Sequence, residues 1–248
     1  VSEATPGRRN EDYVVAGPEW VVVLDGATAA PGVDSGCGHG PAWLVRRLAG
    51  GLAARLAVED GAPLPDLLAD VIKATKEAHG GGCDLDNPDS PSATVAMLRR
   101  RDEVVDWLVL ADSPVLLEVD GRVRVVSDDR VDRLPSYTVE AVRAARNSPG
   151  GFWVAGNRPE AAYEALTGEL SAGRVRRAAL LSDGAARLVT PFGLTGWEGL
   201  LDLLDEEGPA ELIRRTREAE EGATIRRGKR HDDATAVFVR FQHPGTRF

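Results

Sequence analysis

Asp120-Gly121 stands between Val115-Leu116-Leu117 and Val123-Arg124-Val125. An Asp-Gly pair between two β-rich runs signals a two-residue hairpin turn, because such a turn needs positive φ at both central positions. Arg100-Arg101-Asp102-Glu103 links two further apolar runs just as tightly. Strands joined this closely must be antiparallel, since a parallel pair needs a crossover of about a dozen residues or more. A doubly wound dinucleotide-binding sheet is thereby disfavoured. Strands are expected at Tyr13-Ala16, Trp20-Leu24, Ala93-Arg99, Val104-Ala111, Pro114-Val119, Val123-Val126, Ala178-Leu181 and Ala234-Phe241. Leu44, Leu48, Leu52 and Leu56 recur every fourth residue, and Leu64, Leu67, Leu68, Val71, Ile72 and Thr75 trace one helical face. A third helix is predicted from Pro159 to about Leu166, N-capped by Asn157 and stopped at Gly168, and a fourth helical block from Gly196 to Glu221 with a break near Gly208-Pro209. Hairpin strands alternating with helix pairs make the chain α+β, with mostly antiparallel sheets covered by helices.

The 248 residues are 43% apolar, enough for a substantial core, and no stretch approaches the length of apolar chain that spans a membrane. Val1-Ser2-Glu3-Ala4 has neither the basic nor the apolar region of a secretory signal, and two cysteines cannot frame a disulfide scaffold. A cytoplasmic setting without membrane attachment is the expectation. The formal charge of −9 argues against a nucleic-acid partner, whose phosphates demand a basic surface. The three basic clusters, Arg99-Arg100-Arg101, Arg174-Val175-Arg176-Arg177 and Arg226-Arg227-Gly228-Lys229-Arg230, are read as solvated turns.

The acids fall where apolar runs stop. Val21-Leu24 runs into Asp25-Gly26, Leu108-Ala111 into Asp112-Ser113, and Ala179-Ser182 into Asp183-Gly184. Asp232-Asp233 and Glu11-Asp12 stand immediately before two further strands. Carboxylates converging at the ends of buried strands lose hydration and repel one another, so a shared cation is needed to hold them together. Ligands that are all oxygen suit Mg²⁺ or Mn²⁺ and not a closed zinc site. Glycine after aspartate is expected to let the backbone carbonyl turn toward the ion.

In order, Asn10-Glu11-Asp12, Val23-Leu24-Asp25-Gly26, Ser92-Ala93-Thr94, Ala111-Asp112-Ser113, Leu181-Ser182-Asp183-Gly184 and Asp232-Asp233-Ala234-Thr235 resemble the motifs of the metal-dependent PP2C (PPM) serine/threonine phosphatases, bacterial branch. The resemblance implies a four-layer α-β-β-α sandwich over residues 1–241, followed by a tail at 242–248. It also implies hydrolysis of phosphoserine or phosphothreonine in a protein or peptide by a water held between two Mg²⁺ or Mn²⁺ ions, with a third ion in some members. By the same resemblance Asp25, Asp183 and Asp232 hold the first ion, Glu11 and the Gly26 carbonyl join Asp25 at the second, and Asp12 ligates through water or supports the ligands from behind. Asp112 would share a weaker third ion with Asp183.

Several positions depart from that pattern. Gly7 stands where the family carries an arginine for the substrate phosphate, which leaves Arg8 and Arg9 as substitutes. Ala27-Thr28 follows Asp25-Gly26 where some members carry a histidine, so His39, in the glycine-rich loop Pro31 to Gly40, is the candidate proton donor. Asp233 replaces an asparagine, Ala111 a glycine and Pro114 an arginine. Phe152-Trp153, between glycines in a segment that includes the family's variable flap, reads as an anchor for the next helix. Cys37-x-His39 and His79-x₃-Cys83 supply four zinc-type donors, but the first spacing is tight, and two unlinked buried thiols are expected. Two other functions stay open: a catalytically poor phosphatase-fold regulator or binding module, and a phosphatase acting on a phosphorylated metabolite or biosynthetic intermediate.

Overall fold

A computed structural model of the protein describes residues 1–27, 29, 32–58, 61–222 and 229–242. Thr28, Pro31, Arg226, Arg227, Gly228 and the tail beyond residue 242, all singled out above, lie outside the described residues. Among the described residues, ten strands form two five-stranded antiparallel sheets. The first holds, in spatial order, β1 (Ser2–Glu3), β10 (Ala234–Arg240), β9 (Val175–Leu181), β6 (Val115–Val119) and β7 (Arg122–Val126). The second holds β2 (Tyr13–Ala16), β3 (Trp20–Ala27), β4 (Ser92–Arg101), β5 (Val104–Leu110) and β8 (Leu166–Ser171). Asp120 and Gly121 both have positive φ, 51° and 78°, as the hairpin between β6 and β7 requires.

Strand alternation sorts the side chains into layers. Val21, Val23, Ala96, Leu98, Trp107 and Val109 meet Val115, Leu117, Ala178 and Leu180 between the sheets. The intervening residues Val22, Leu24, Val95, Met97, Leu108 and Leu110 face outward onto α1 (Pro41–Leu56) and α2 (Leu64–Ala78). On the other side Leu116, Ala179, Leu181 and Ala236 face α4 (Trp197–Glu206) and α5 (Pro209–Gly222), with α3 (Val139–Ala145) apart from both pairs. Sheets covered on both faces explain why their strands read as near-continuous apolar runs. The order helix, sheet, sheet, helix is the expected sandwich.

The predicted helix running from Pro159 to Leu166 is instead a short 3₁₀ turn, Pro159–Glu164, followed by β8 pairing with β5. Gly168 marks a packing contact and not a helix stop: a Cβ there would overlap the indole of Trp107, which is 2% exposed and cannot move aside. β1 also had no sequence signal, being two residues long. Trp153 packs in the core with Ala155, Ala161 and Ala162, so it anchors the turn that follows. The basic clusters at 99–101 and 174–177 are only partly solvated turns. Arg99 and Arg177 are buried, Arg99 on Asp106 and Arg177 on Glu118, Asp202 and Asp205.

Candidate functional site

Register places the acids together. Tyr13 lies opposite Leu24, so Glu11-Asp12 at the start of β2 comes beside Asp25 near the end of β3. Ala236 lies opposite Leu181, so Asp232-Asp233 before β10 comes beside Asp183 after β9. Asp25 lies inside its strand, opposite Thr94, and continues the series Val21, Val23 that faces between the sheets. Asp112 sits where the chain passes from β5 in one sheet to β6 in the other. Thr94 Oγ1 and Ser113 Oγ, 2.5 Å apart, tie that crossing to β4. Ala111, at the same crossing, holds φ at 68°, the left-handed region that explains why a glycine is usual there.

The glycines after Asp25 and Asp183 serve closeness and not, as expected, backbone freedom; neither has positive φ. A Cβ on Gly26 would stand 2.7 Å from the Glu11 carbonyl oxygen and 2.8 Å from Pro41 Cβ, and one on Gly184 would overlap the Asp233 carbonyl. The Gly26 amide donates to that Glu11 carbonyl at 3.1 Å. Asp233 clamps the N-terminal segment, its two oxygens each accepting a backbone N–H at 2.6 Å, from Thr5 and from Glu11. That use accounts for a carboxylate where an asparagine was expected.

The cluster is under electrostatic load. Asp12 is 3% exposed and neither of its carboxylate oxygens has a hydrogen-bond partner. Burial pushes its pKa up to about 7, and the charges of Asp183 and Asp233 add to this against the polarity of the Thr235 and Ser182 hydroxyls. Neither hydroxyl completes a bond to it; Thr235 Oγ1 donates to Ser2 Oγ, and Ser182 Oγ accepts the Thr235 amide. Burial, then the charges of Asp12, Asp183, Asp112 and Asp232, hold Asp25 well above the usual carboxylate range. Burial and the charge of Asp183 bring Asp112 to about 7. Asp183 is raised by the protein atoms crowding it and by the charge of Asp232. Its side chain opens to solvent, so the charge of Asp232 is the firmer cause. Orphaned oxygens at this burial, among oxygen donors only, fit one or more hard divalent cations.

Lys229 Nζ lies 2.9 Å from Asp232 Oδ1, a cation already paired with the cluster. Arg8, Arg9, Glu11, Lys229, His231 and Asp232 line a recess of about 280 Å³. His231, adjacent to Asp232 and passed over in the sequence, donates its Nδ1–H to Glu220 Oε2 at 2.8 Å. Glu220, fully buried, also pairs with Arg187 and Arg217. Those arginines donate to the carbonyls of Lys229 at 2.7 Å and Asp232 at 2.6 Å, holding the loop that carries Asp232. His39 is placed elsewhere: its imidazole stacks on Trp43 with centroids 4.1 Å apart and its Nδ1 lies 3.4 Å from Cys83 Sγ. The expected role of His39 as proton donor therefore has no contact behind it. Among the described residues only Cys37, His39 and Cys83 bring three donor atoms within 4.8 Å of one another; no three carboxylates do.

A family model described as protein phosphatase 2C matches residues 2–239. Among solved structures, the Mycobacterium tuberculosis serine/threonine phosphatase PstP/Ppp is 20% identical, with 98% of this chain and 97% of that chain covered at a TM-score of 0.62. The PstP catalytic domain in complex with two manganese ions is 22% identical, with 96% and 94% covered at 0.59. Staphylococcus aureus Stp1, a serine/threonine phosphatase, is 14% identical, with 98% and 94% covered at 0.63. A search of curated proteins found no match.

Proposed function

The chain belongs to the protein phosphatase 2C family, and from that premise we propose that it is a Mg²⁺- or Mn²⁺-dependent hydrolase of phosphoserine or phosphothreonine in proteins or peptides. The observation that carries this is Asp12, buried with both oxygens unpartnered in a crowd of carboxylates drawn from both sheets. Asp25, Asp183 and Asp232 would hold one ion, and Asp25, Glu11 and the Gly26 carbonyl another. Asp12 would act through water, and Asp112 with Asp183 at a third position. Bound there, divalent ions supply an acidified water as nucleophile and offset the charge of the phosphoryl oxygens.

The remaining work falls to the chain's own residues. Arg8 and Arg9 reach a phosphate at the mouth of the recess by charge-assisted hydrogen bonds. His231 replaces His39 as the proton donor for the departing serine or threonine oxygen; with Nδ1–H engaged by Glu220, the doubly protonated ring has Nε2–H free to deliver its proton. Glu220 positions the ring and offsets its charge in that state. Lys229 on Asp232 favours the second reading, a regulator or binding module of low activity, because the ammonium already satisfies a ligand oxygen. Hydrolysis of a small aryl phosphate and of phosphopeptides, with and without Mn²⁺, decides between them. Turnover that needs Mn²⁺ and falls at least about a hundredfold in Asp25→Asn and Asp183→Asn supports the enzyme. No Mn²⁺-dependent turnover on any substrate supports the binding module, and turnover that rejects phosphopeptides points to a small metabolite.

A further inference from the structure

The loop from β3 to α1 and the turn after α2 meet around two thiols and an imidazole. Asp84 N–H donates to the Gly36 carbonyl at 2.7 Å, and Asn87 Nδ2 to the Asp34 carbonyl at 3.1 Å, so the two segments are zipped together next to this cluster. Cys37 Sγ lies 3.1 Å from Cys83 Sγ, and His39 Nδ1 lies 3.7 Å from the first sulfur and 3.4 Å from the second. The sulfurs touch without a disulfide between them, and contrary to expectation they are not fully buried; both cysteines are half-buried free thiols.

We propose that Cys37, His39 and Cys83 form a zinc site, separate from the carboxylate cleft, that clips the β3–α1 loop to the end of α2. Two thiolates and an imidazole are the donor set that Zn²⁺ prefers over Mg²⁺ or Mn²⁺. Ligands on one tetrahedral zinc, at about 2.3 Å for sulfur and 2.0 Å for nitrogen, stand roughly 3.5–3.8 Å apart. The His39–sulfur distances of 3.7 and 3.4 Å lie within about 0.2 Å of the sulfur–nitrogen value of about 3.5 Å, and the sulfurs, 3.1 Å apart, need to part by about 0.7 Å. The sulfur of Cys37 already accepts the backbone N–H of His39 at 3.3 Å, a bond that steadies a thiolate. Stacking on Trp43 fixes the His39 ring, and the ring of His79 meets Trp43 edge-on at 4.5 Å while its Nδ1 bonds the Thr75 carbonyl at 2.9 Å. A disulfide would need the sulfurs alone; it leaves the imidazole beside them and the amide on Cys37 without a purpose. Binding releases both thiol protons to solvent, so the two thiolates and Zn²⁺ make a neutral unit, and water completes the fourth position.

The test uses the full chain carrying Asp25→Asn and Asp183→Asn, so that the carboxylate cleft does not compete. Freed of metal and reduced with a phosphine, it is titrated with Co²⁺ and then with Zn²⁺. About one equivalent of Co²⁺ should raise a thiolate-to-cobalt charge-transfer band and the intense visible bands of a tetrahedral ion, and Zn²⁺ should erase both. The bands should vanish in Cys37→Ser and Cys83→Ser, each shown folded by circular dichroism, and weaken in His39→Ala. Absence of the bands, or their survival in either cysteine variant, overturns the site. So does a reduced protein that binds no Co²⁺ but loses two hydrogens to a mild oxidant, which would make the pair a redox disulfide. Because the variant background has no intact carboxylate cleft, the outcome is independent of the phosphatase reading.

Discussion

A methyl group at position 184 has no room, because the Asp233 carbonyl occupies its place. Either the Asp183 turn or the Asp232-Asp233 loop has to move, and both carry residues of the cleft. Gly184→Ala should cost about 1–3 kcal/mol in urea unfolding, the usual range for overpacking, and should depress Mn²⁺-dependent aryl phosphate hydrolysis more than its stability loss explains. Unchanged unfolding and unchanged turnover would show that the contact is not as tight as described. At this scale the acids were legible in the sequence, since a carboxylate at the end of an apolar run is a costly choice that composition alone does not produce. The purpose of each glycine was not legible. Asp-Gly reads as a turn wherever it occurs, and only the neighbour brought up from about fifty residues away shows that closeness is the constraint. His231 was hidden for a related reason: its partner Glu220 sits on a helix face, where an acid looks solvated.

Among the elements, β8 is the informative exception. Its strand pattern is weak because it is an edge strand whose exposed residues alternate with half-buried ones, and a Pro-initiated helical turn runs directly into it. Gly168, sitting opposite Trp107 in the β5–β8 pairing, is what lets the indole lie across the sheet. Gly168→Ala should therefore destabilise by about 1–3 kcal/mol, while Gly173→Ala in the turn that follows, where nothing lies closer than 3.8 Å, should change stability by less than about 0.5 kcal/mol. Thermal denaturation of the two variants side by side checks this, and equal shifts would count against the packing role. The eight strands besides β8 and β1 were legible as β-branched and apolar runs bounded by turn residues, and the two helix pairs because each buries one face, which imposes a period of 3.6 residues on the sequence. A two-residue edge strand such as β1 is too short to show any period.

For the molecule as a whole, the cleft joins both sheets, so its charge bears on global stability. Asp12 and Asp112 titrate at about 7 in the fold, because burial disfavours their ionised forms, and near 4 when unfolded. Between those values the folded protein holds protons that the unfolded chain has released, so stability is greatest below about pH 4 on this account and falls as pH rises toward 7. In chelator the melting temperature should drop between about pH 4 and 7 and level off above that. Saturating Mn²⁺ should restore it, contributing about 2.7 kcal/mol at a hundredfold excess over the dissociation constant. A melting temperature in chelator that does not change with pH would contradict the burial of these carboxyls. The sandwich and the position of its acids could be anticipated because hairpins and register follow local rules. The sulfur and imidazole cluster could not, since its two halves lie 46 residues apart and nothing local points one at the other. Lys229, tethered beside Asp232, carries one more consequence. A counter-ion on the chain cannot diffuse away, so loading the cleft is an exchange and not an addition: each divalent ion arriving at Asp232 must displace an ammonium that stays close by to return. Added monovalent salt should then weaken metal uptake less than it would at an open acidic surface, and Lys229→Ala should tighten Mn²⁺ binding in calorimetric titration; looser binding in that variant would mean the lysine assists the metal instead of competing with it.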